Sequence, residues 1–344
     1  MKPALIAFVI ALSSIAFQAT ADISVKVHKF SDLKSWEKDD HASALEVFKE
    51  TCTDLKAEDW QSICAAAFDF KNARLFFETF FLPVLISDGV DSKFTGYYEP
   101  ELPGSLVRTS RFKYPIYALP EEAKSGQPWK TRREIEQDGV LEGRGLELAW
   151  LDDPVDLTFL QIQGSGRIKL TNGNYLRVGY GGKNGHNYKS LGGELVRQGI
   201  YEPHQVSAAV IKNWVKRNPV DGQELLWSNP SYVFFRAVED VKPSQGPLGA
   251  MNRSITAGRS IAIDPNYVPL GAPVWIEKQG RSPMRRLMIA QDTGSAIKGA
   301  QRADIFMGSG AKAGRLAGQM KDRGSLFVLL PVKRAMTLMT EPLE

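Results

Sequence analysis

Apolar residues near the start of the chain recur at steps of three and four, the periodicity of helices that bury one face. Three such segments follow one another, at residues 42–51, 59–67 and 72–81. Pro83 follows the third segment and is expected to end its helix. We expect these segments to form a helical cap on whatever core the rest of the chain builds.

From residue 94 onward the pattern changes to short apolar runs separated by Gly, Pro and Asn, which is typical of strands. Helical periodicity returns only over residues 201–217, before Asn218-Pro219, and over 311–320. Strands so short, without alternating helices, indicate a small closed barrel and a mainly β fold. The predicted strands are residues 94–98, 157–162, 168–170, 175–178, 232–236, 260–263, 273–276, 286–291, 303–306 and 325–329.

This distribution predicts two domains, as the length of 344 residues also favours. We expect one barrel domain from residues 22–104 together with 237–344, and a second, β-rich domain inserted at 105–236. A groove between two such domains is a natural place for a long ligand.

The N-terminus carries the pattern of a cleaved signal peptide over residues 1–21. A charged start, Met1-Lys2, precedes an apolar run over residues 4–17 and the small-residue site Ala19-Thr20-Ala21. The run is too short for a membrane span, for which about 20 apolar residues are needed, and no later stretch is apolar enough. We therefore expect export and no integral span. Because no Cys comes directly after the run, we expect no lipid anchor.

Composition limits which partners and which kinds of site the chain is expected to have. The formal net charge of +4 is dispersed along the chain, so a nucleic-acid partner is not expected. Cys52 and Cys64 are the only cysteines, and in an exported protein a disulfide is favoured over the alternative of two buried thiols. The four His residues do not have ligand spacing with them or with one another, so we expect no metal site.

The tetrapeptide Asp292-Thr293-Gly294-Ser295 matches the string that carries the catalytic carboxylate of aspartic proteases. Those enzymes need two carboxylates that share a proton, supplied by two copies in one chain or by a short chain that dimerises. This chain has one copy and is too long for the dimeric class. A protease is therefore not expected.

Three carboxylates follow apolar β-runs in the C-terminal third: Asp264, Asp292 and Asp304. We expect them at strand ends of one barrel, facing a cleft. For Asp264 a turn-capping role is an equal alternative. Asp304 has apolar neighbours, and a carboxyl group in such surroundings near a second carboxylate keeps its proton near neutral pH. That property suits protonation of a glycosidic oxygen.

Aromatic and amide residues cluster in three Gly-rich segments. Tyrosine rings offer faces for sugars, and amides and hydroxyls offer directional hydrogen bonds, although half of these aromatics could instead belong to the barrel core. Ser165 lies between two glycines but lacks the G-x-S-x-G spacing and a suitable His, so it is not expected to be a nucleophile. The candidates are Tyr97, Tyr98, Tyr180, Tyr188, Gln161, Gln163, Ser165 and Asn187.

Long segments of the chain resemble the lytic murein transglycosylase A family. They include "FTGYYEPELPGS", "LQIQGSGRIKL", "VGYGGKNGHNYKSLG", "NPSYVFFR", "GPLGAMNRSITAGRSIAIDPNYVPLGAPVWIE" and "AQDTGSAIKGAQRADIFMGSG", and the similarity runs from about Phe94 to Leu330. The C-terminal part resembles the three-aspartate domain. The resemblance implies a six-stranded double-psi β-barrel that carries an inserted second β-barrel domain, with glycan bound between them.

The same resemblance implies an activity and assigns residues to it. The family cleaves the β-1,4 bond between N-acetylmuramic acid and N-acetylglucosamine in peptidoglycan without water, leaving 1,6-anhydromuramic ends. The single acid/base then maps to Asp304, with Asp292 and Asp264 supporting it. The residues expected to bind substrate are Thr95, Tyr97, Gln161, Gln163, Ser165, Gly166 and Tyr180. No cofactor is implied, and the expected partners are peptidoglycan strands and other cell-wall enzymes in the periplasm.

Two other functions stay open at the level of sequence. One is a peptidoglycan hydrolase that uses two carboxylates, with Asp292 as the partner of Asp304. The other is a non-catalytic module that binds or loosens cell-wall polysaccharide, since a barrel with a polysaccharide groove need not cut its ligand.

Overall fold

The computed structural model describes residues 23–239, 241–242 and 244–340. The predicted signal peptide at residues 1–21 lies outside them. The strands are β1 Ser24–Val27, β2 Phe81–Ser87, β3 Lys93–Glu99, β4 Glu101–Ser105, β5 Tyr114–Tyr117, β6 Glu147–Leu151, β7 Gly166–Leu170, β8 Tyr175–Lys183, β9 Val233–Ala237, β10 Ser260–Ile263, β11 Pro273–Lys278, β12 Met284–Thr293, β13 Arg302–Ser309, β14 Lys321–Asp322 and β15 Gly324–Pro331. The helices are α1 His41–Thr51, α2 Glu58–Asp69, α3 Ala73–Phe80, α4 Arg132–Gln137, α5 Pro154–Gln163, α6 Leu191–Arg197, α7 Ala208–Arg217, α8 Pro219–Trp227, α9 Gly310–Gly318 and α10 Val332–Thr340.

The N-terminal helices form where the periodicity predicts them. Asp40 begins α1 by accepting a hydrogen bond from the Ser43 amide, and Asn72 does the same for α3, so local capping chemistry sets both starts. A disulfide between Cys52 and Cys64, with Cα atoms 5.4 Å apart, ties the end of α1 to α2. The buried rings of the three helices pack onto one side of the first sheet and extend its core.

The first sheet has nine strands in the order β1-β2-β15-β11-β12-β10-β13-β3-β14. We call the part of the chain built around this sheet the barrel. Most neighbours are antiparallel, but β10 runs parallel to β12 and β13 runs parallel to β3. These parallel pairs join strands that are distant in sequence. The predicted mainly β fold, with a barrel that carries an inserted β domain, is confirmed.

The second sheet has six strands in the order β5-β6-β4-β7-β8-β9. A bridge between Ala118, just after β5, and Phe235 on β9 joins the two ends of this sheet, which is therefore a nearly closed six-stranded barrel. The chain passes from the first sheet into the second at Pro100, between β3 and β4, and the second sheet ends with β9. We call the part built around this second sheet the insert.

The strand predicted at residues 157–162 is wrong, because this segment lies within helix α5. Asp153 begins the helix by accepting from the Val155 amide, Pro154 occupies the first turn, and Gly164 ends it with a left-handed φ of 78°. The apolar run looked like a strand because this short helix is buried on more than one side. The capping residues Asp153 and Gly164 therefore indicate the helix better than the β-type composition of the segment indicates a strand.

The helical pattern at residues 201–217 is shorter than predicted and is followed by a second helix. Only α7 is helical in that range, and Pro219 starts α8 because the first turn of a helix tolerates proline. The predicted C-terminal helix at 311–320 corresponds to α9.

Helix α9 lies unusually close to strand β3, and two glycines allow this. A Cβ on Gly96 would come within 2.9 Å of the Ala317 Cα, and one on Gly314 would come within 2.8 Å of the Tyr98 ring. The close packing holds β3 firmly beside β13.

A search of the described residues for a membrane-spanning helix, which must be both long and apolar, finds none.

Candidate active site

Side chains from four barrel strands form one row on the same face of the first sheet. Ala262 on β10 pairs in register with both Asp292 on β12 and Asp304 on β13, and Asp304 pairs with Thr95 on β3. Directly paired residues point to the same face of a sheet, and two strand spacings place the two Asp Cα atoms about 10 Å apart. The small side chain of Ala262 leaves open space between the carboxyl groups.

A β-bulge selects which residue of β12 faces this row. The pairing shifts between Ile261, opposite Ala290, and Ala262, opposite Asp292, so Gln291 is the extra residue. Gln291 is instead fully buried, where its side chain accepts a hydrogen bond from Ser260. The bulge therefore places the carboxylate of Asp292, and not the amide of Gln291, in the row with Ala262 and Asp304.

Asp304 is oriented by a hydrogen bond from Thr95, which is itself contacted by the guanidinium of Arg302. Thr95 Oγ1 donates to Asp304 Oδ1 at 2.6 Å, and Arg302 Nη2 donates to the same Thr95 Oγ1 at 2.8 Å. Burial raises the pKa of Asp304, and Thr95 together with the positive charges of Arg302 and Lys93 partly offsets that rise. A carboxyl group with a raised pKa can hold a proton to donate.

Asp292 is held more tightly, through both of its oxygens. Tyr97 donates its hydroxyl to Oδ2 at 2.7 Å, while the amides of Ala250 and Thr293 donate to Oδ1 at 3.0 and 2.9 Å. Burial nevertheless raises the pKa of Asp292 to about 6, and the nearby Asp304 adds to the rise. Burial and the charge of Asp292 also raise the pKa of Tyr97 well above its ordinary value, so Tyr97 stays a hydrogen-bond donor.

Asp264, just past the end of β10, anchors a loop. Its buried side chain accepts from the Gly299 amide at 3.0 Å and from the Asn266 amide at 3.2 Å, and the ammonium of Lys298 lies 3.9 Å away. These contacts hold the segment that follows β12 against the barrel. Asp264 lines neither of the two cavities described next.

Two adjoining cavities lie between the barrel and the insert, and we call them together the groove. The larger has a volume of about 610 Å³ and includes Asp292 in its wall, and the smaller, of about 300 Å³, includes Asp304. They share residues from both parts of the chain, so a ligand can extend from one into the other. The shared residues are Gln161, Ile162, Gln163, Ser231, Val233, Thr293, Gly294 and Ser295.

The end of α5 brings two predicted substrate-binding amides to the groove. Gln161 and Gln163 line both cavities. Each also has a structural contact, because Gln161 accepts a hydrogen bond from the buried Arg132 and Gln163 Oε1 accepts one from the Tyr98 amide at 3.0 Å. The second contact links the insert directly to β3.

The other predicted substrate-binding residues divide into groove and supporting positions. Ser165 and the half-exposed Tyr180 line the larger cavity, and Tyr97 lines the smaller. Thr95 contacts Asp304 without lining either cavity. Gly166 lies behind Ser165, where a Cβ would come within 2.4 Å of the Leu160 side chain.

Sequence reasoning missed several cations of the groove. Arg302 had a readable signal, because it lies two residues before Asp304 on a strand and must share its face. Lys183, Arg236 and Lys298 line the larger cavity but are far apart in sequence, so only the fold collects them. Among the described residues, no group of three or more His, Cys, Asp or Glu side chains is arranged to hold a metal ion.

Two family profiles match the chain and together cover most of it. The first, described as the MltA specific insert domain, matches residues 93–236, and the second, described as the 3D domain, matches residues 259–330. The first match spans the insert, and the second spans the part of the barrel that contains Asp264, Asp292 and Asp304.

Individual relatives agree with these profiles. The chain is 36% identical over 249 residues to a membrane-bound lytic murein transglycosylase A of Vibrio cholerae, a match that covers 69% of this chain but only 64% of that protein's length. A crystal structure of a membrane-bound lytic murein transglycosylase from Agrobacterium tumefaciens superposes with a TM-score of 0.83 at 32% identity, covering 91% of this chain and 99% of that one. A structure of Escherichia coli MltA with bound chitohexaose superposes with a TM-score of 0.71 at 27% identity, covering 85% and 90%.

Proposed function

This chain belongs to the membrane-bound lytic murein transglycosylase A family, and we propose that it cleaves peptidoglycan glycan strands by a non-hydrolytic reaction. The bond broken is the β-1,4 bond between N-acetylmuramic acid and N-acetylglucosamine, and the product carries a 1,6-anhydromuramic end. The observation that carries this proposal is the carboxyl group of Asp304, which has a raised pKa, lines the groove, and is oriented through Oδ1 alone, whereas both oxygens of Asp292 accept hydrogen bonds.

The groove is suited to a polymer of sugars. It runs between two β domains, and its walls combine a half-exposed tyrosine with several amides and hydroxyls. The related Escherichia coli structure holds chitohexaose, a linear chain of sugars, which supports placing a glycan strand here. Rings can stack on Tyr180 while Gln161 and Gln163 give directional hydrogen bonds.

In the proposed reaction Asp304 transfers a proton twice. As the bond between C1 of the muramic residue and the leaving oxygen breaks, Asp304 donates its proton to that oxygen. The C6 hydroxyl of the same muramic residue then attacks C1, and the Asp304 carboxylate takes the hydroxyl proton. One bond to C1 is lost and one is gained, no water is consumed, and Asp304 is again protonated at the end.

Asp292 and Asp264 support this acid in the proposed mechanism. Both oxygens of Asp292 already accept hydrogen bonds, which leaves it poorly placed to act as a nucleophile or to activate water. When ionised, it can stabilise positive charge that develops at C1. Asp264 contributes by holding the loop after β12, through the Gly299 amide.

The proposed substrate also implies a location. Peptidoglycan lies outside the cytoplasmic membrane, so the reaction requires export, and the pattern of residues 1–21 supports a cleaved signal peptide. We place the mature protein in the periplasm, where peptidoglycan strands are its substrate and other cell-wall enzymes are candidate partners.

Product analysis tests the proposal directly. Purified sacculi are incubated with the protein, and the soluble muropeptides are identified by mass spectrometry. We expect anhydromuramic ends. Reducing muramic ends would instead indicate the two-carboxylate hydrolase, and binding to sacculi without soluble products would indicate a binding module.

A further inference from the structure

The wall of the larger cavity carries an excess of positive charge. Lys183 on β8 and Arg236 on β9 come from the insert, and Lys298 comes from the loop after β12 on the opposite side. Among the described residues, Asp292 is the one carboxylate in the wall. Because the two sides of the cavity supply the cations, a ligand between them would meet positive charge from both.

Within the described part of the chain, these three cations share a single ion pair, the long contact between Lys298 and Asp264. Lys183 is half-buried and has no ion pair there, and Arg236 donates only to the neutral side-chain oxygen of Asn252, at 2.9 Å. Lys298 has a single long contact, 3.9 Å to Asp264, and 63% of its side chain is exposed. Only Lys183 is half-buried, whereas Arg236 and Lys298 are exposed, so all three cations can reach a ligand in the cavity.

Asp292 does not supply the missing partner. Its two oxygens accept three hydrogen bonds, all from neutral donors: the Tyr97 hydroxyl and the amides of Ala250 and Thr293. Its raised pKa of about 6 further reduces its negative charge in mildly acidic solution. One carboxylate does not balance three cations, so the wall of the larger cavity keeps a net positive charge.

We propose that the larger cavity binds a carboxylate carried by the muramic residues of the glycan, through Lys183, Lys298 and Arg236. This rests on the proposed function, and it assigns to the groove a subsite for the substituent that distinguishes peptidoglycan from chitin. Residues 293–295 line both cavities, so a muramic ring beside Asp304 can extend its C3 substituent into the larger cavity.

Two carboxylates of this substituent fit the same chemistry. Strands stripped of peptide expose the carboxylate of the lactyl ether itself. In strands that keep their peptide this group is an amide, and the free carboxylates belong to the peptide. Chitohexaose has neither, so it serves as a neutral ligand for the same groove.

The experiment measures binding, so that it does not depend on cleavage. Asp304→Asn protein is the parent, and a second protein adds Lys183→Gln and Lys298→Gln. Lys169→Gln in the same parent is the matched control, because Lys169 is an exposed lysine of the insert on β7 that does not line this cavity. Dissociation constants are measured for chitohexaose, peptide-free glycan strands and peptide-bearing glycan strands.

We expect the double lysine change to weaken binding of a muramic ligand by about three- to ten-fold, as for two partly exposed ion pairs. Chitohexaose binding and the Lys169→Gln protein should stay unchanged. A loss with peptide-free strands assigns the lactyl carboxylate, and a loss confined to peptide-bearing strands assigns the peptide. Equal losses with all three ligands, or no loss with any, would overturn the subsite. A parent that binds none of the glycans would overturn the proposed function as well.

Discussion

The hydroxyl of Thr95 donates a 2.6 Å hydrogen bond to Oδ1 of Asp304, 209 residues away in sequence. Arg302 donates to the same Thr95 oxygen, and a guanidinium cannot accept. The single hydroxyl proton of Thr95 must therefore point at Asp304, which makes Oδ1 an acceptor. When Asp304 is protonated, its proton lies on Oδ2, the oxygen left free for the substrate.

Replacing Thr95 by Val should change the pH dependence of the reaction. The Thr95 hydrogen bond favours the ionised form of Asp304, so its loss raises the pKa of Asp304 further. The basic limb of the activity profile should move to higher pH, and the peak rate should fall because the carboxyl group is less well oriented. Thr95→Ser keeps the donor and should restore the original profile. An unshifted limb in Thr95→Val would contradict this role.

Asp304→Asn should lower the rate of sacculus digestion by about 10²- to 10⁴-fold, the usual contribution of a general acid or base. The amide has nearly the same shape but cannot donate and then recover a proton in this way. Circular dichroism and thermal unfolding should match the wild type, which separates lost chemistry from lost fold. Cleavage by this variant at the normal rate would remove Asp304 from the mechanism.

Asp292 should make the protein less stable as the pH rises. Its pKa is about 6 in the folded protein and 3.8 ordinarily, so the folded state keeps a proton that the unfolded chain loses. The protonated group stabilises the fold below pH 4, and this contribution disappears between about pH 4 and pH 6, a change of about 3 kcal/mol. Asp292→Asn does not titrate there.

Urea unfolding of both proteins between pH 4 and pH 7 measures this effect. The stability of Asp292→Asn relative to the wild type should increase with pH over that range. A difference that stays constant with pH would show that Asp292 titrates at its ordinary pKa in the folded protein.

Tyr180 should contribute to glycan binding by stacking on a sugar ring. It lines the larger cavity and is 53% exposed, whereas Tyr175 on the same strand is 50% exposed and does not line it. Tyr180→Ala should weaken chitohexaose binding about three- to ten-fold, while Tyr175→Ala should leave it unchanged. Isothermal titration with each purified variant provides the measurement, and equal effects at the two positions would argue against stacking.

Glu99 should control how firmly the insert is held on the barrel. Its fully buried carboxylate lies 2.9 Å from Arg177 Nε and 3.1 Å from Arg167 Nε, both in the insert, and accepts from Ser309 Oγ at 2.7 Å. Removing one member of a buried ion pair leaves the other charges uncompensated. Glu99→Ala should therefore cost about 3 to 5 kcal/mol of unfolding free energy.

Denaturant unfolding measures this cost, with Glu101→Ala as the control because Glu101 is exposed and only two residues away. The control should change the unfolding free energy by less than about 0.5 kcal/mol. A similarly small effect for Glu99→Ala would mean that the cluster does not stabilise the joined domains.

The failed and successful secondary-structure predictions have a common cause. Helices α1 and α3 form where predicted because apolar spacing and the capping residues Asp40 and Asn72 act within a few residues. Helix α5 was missed because its apolar face meets two separate cores, so periodicity alone could not distinguish it from a strand. Its caps, Asp153 and Gly164, were the local signal that could have corrected the prediction.

The sequence by itself determined the short strands, the N-terminal helices and the three aspartates near strand ends, because these depend on neighbours along the chain. The tertiary structure alone decided that Asp292, Ala262, Asp304 and Thr95 form one row. That row depends on two parallel strand pairings and on a bulge at Gln291, and such registers are set by contacts between residues far apart in sequence. The cations of the larger cavity meet for the same reason, because the groove exists only where the two sheets face each other.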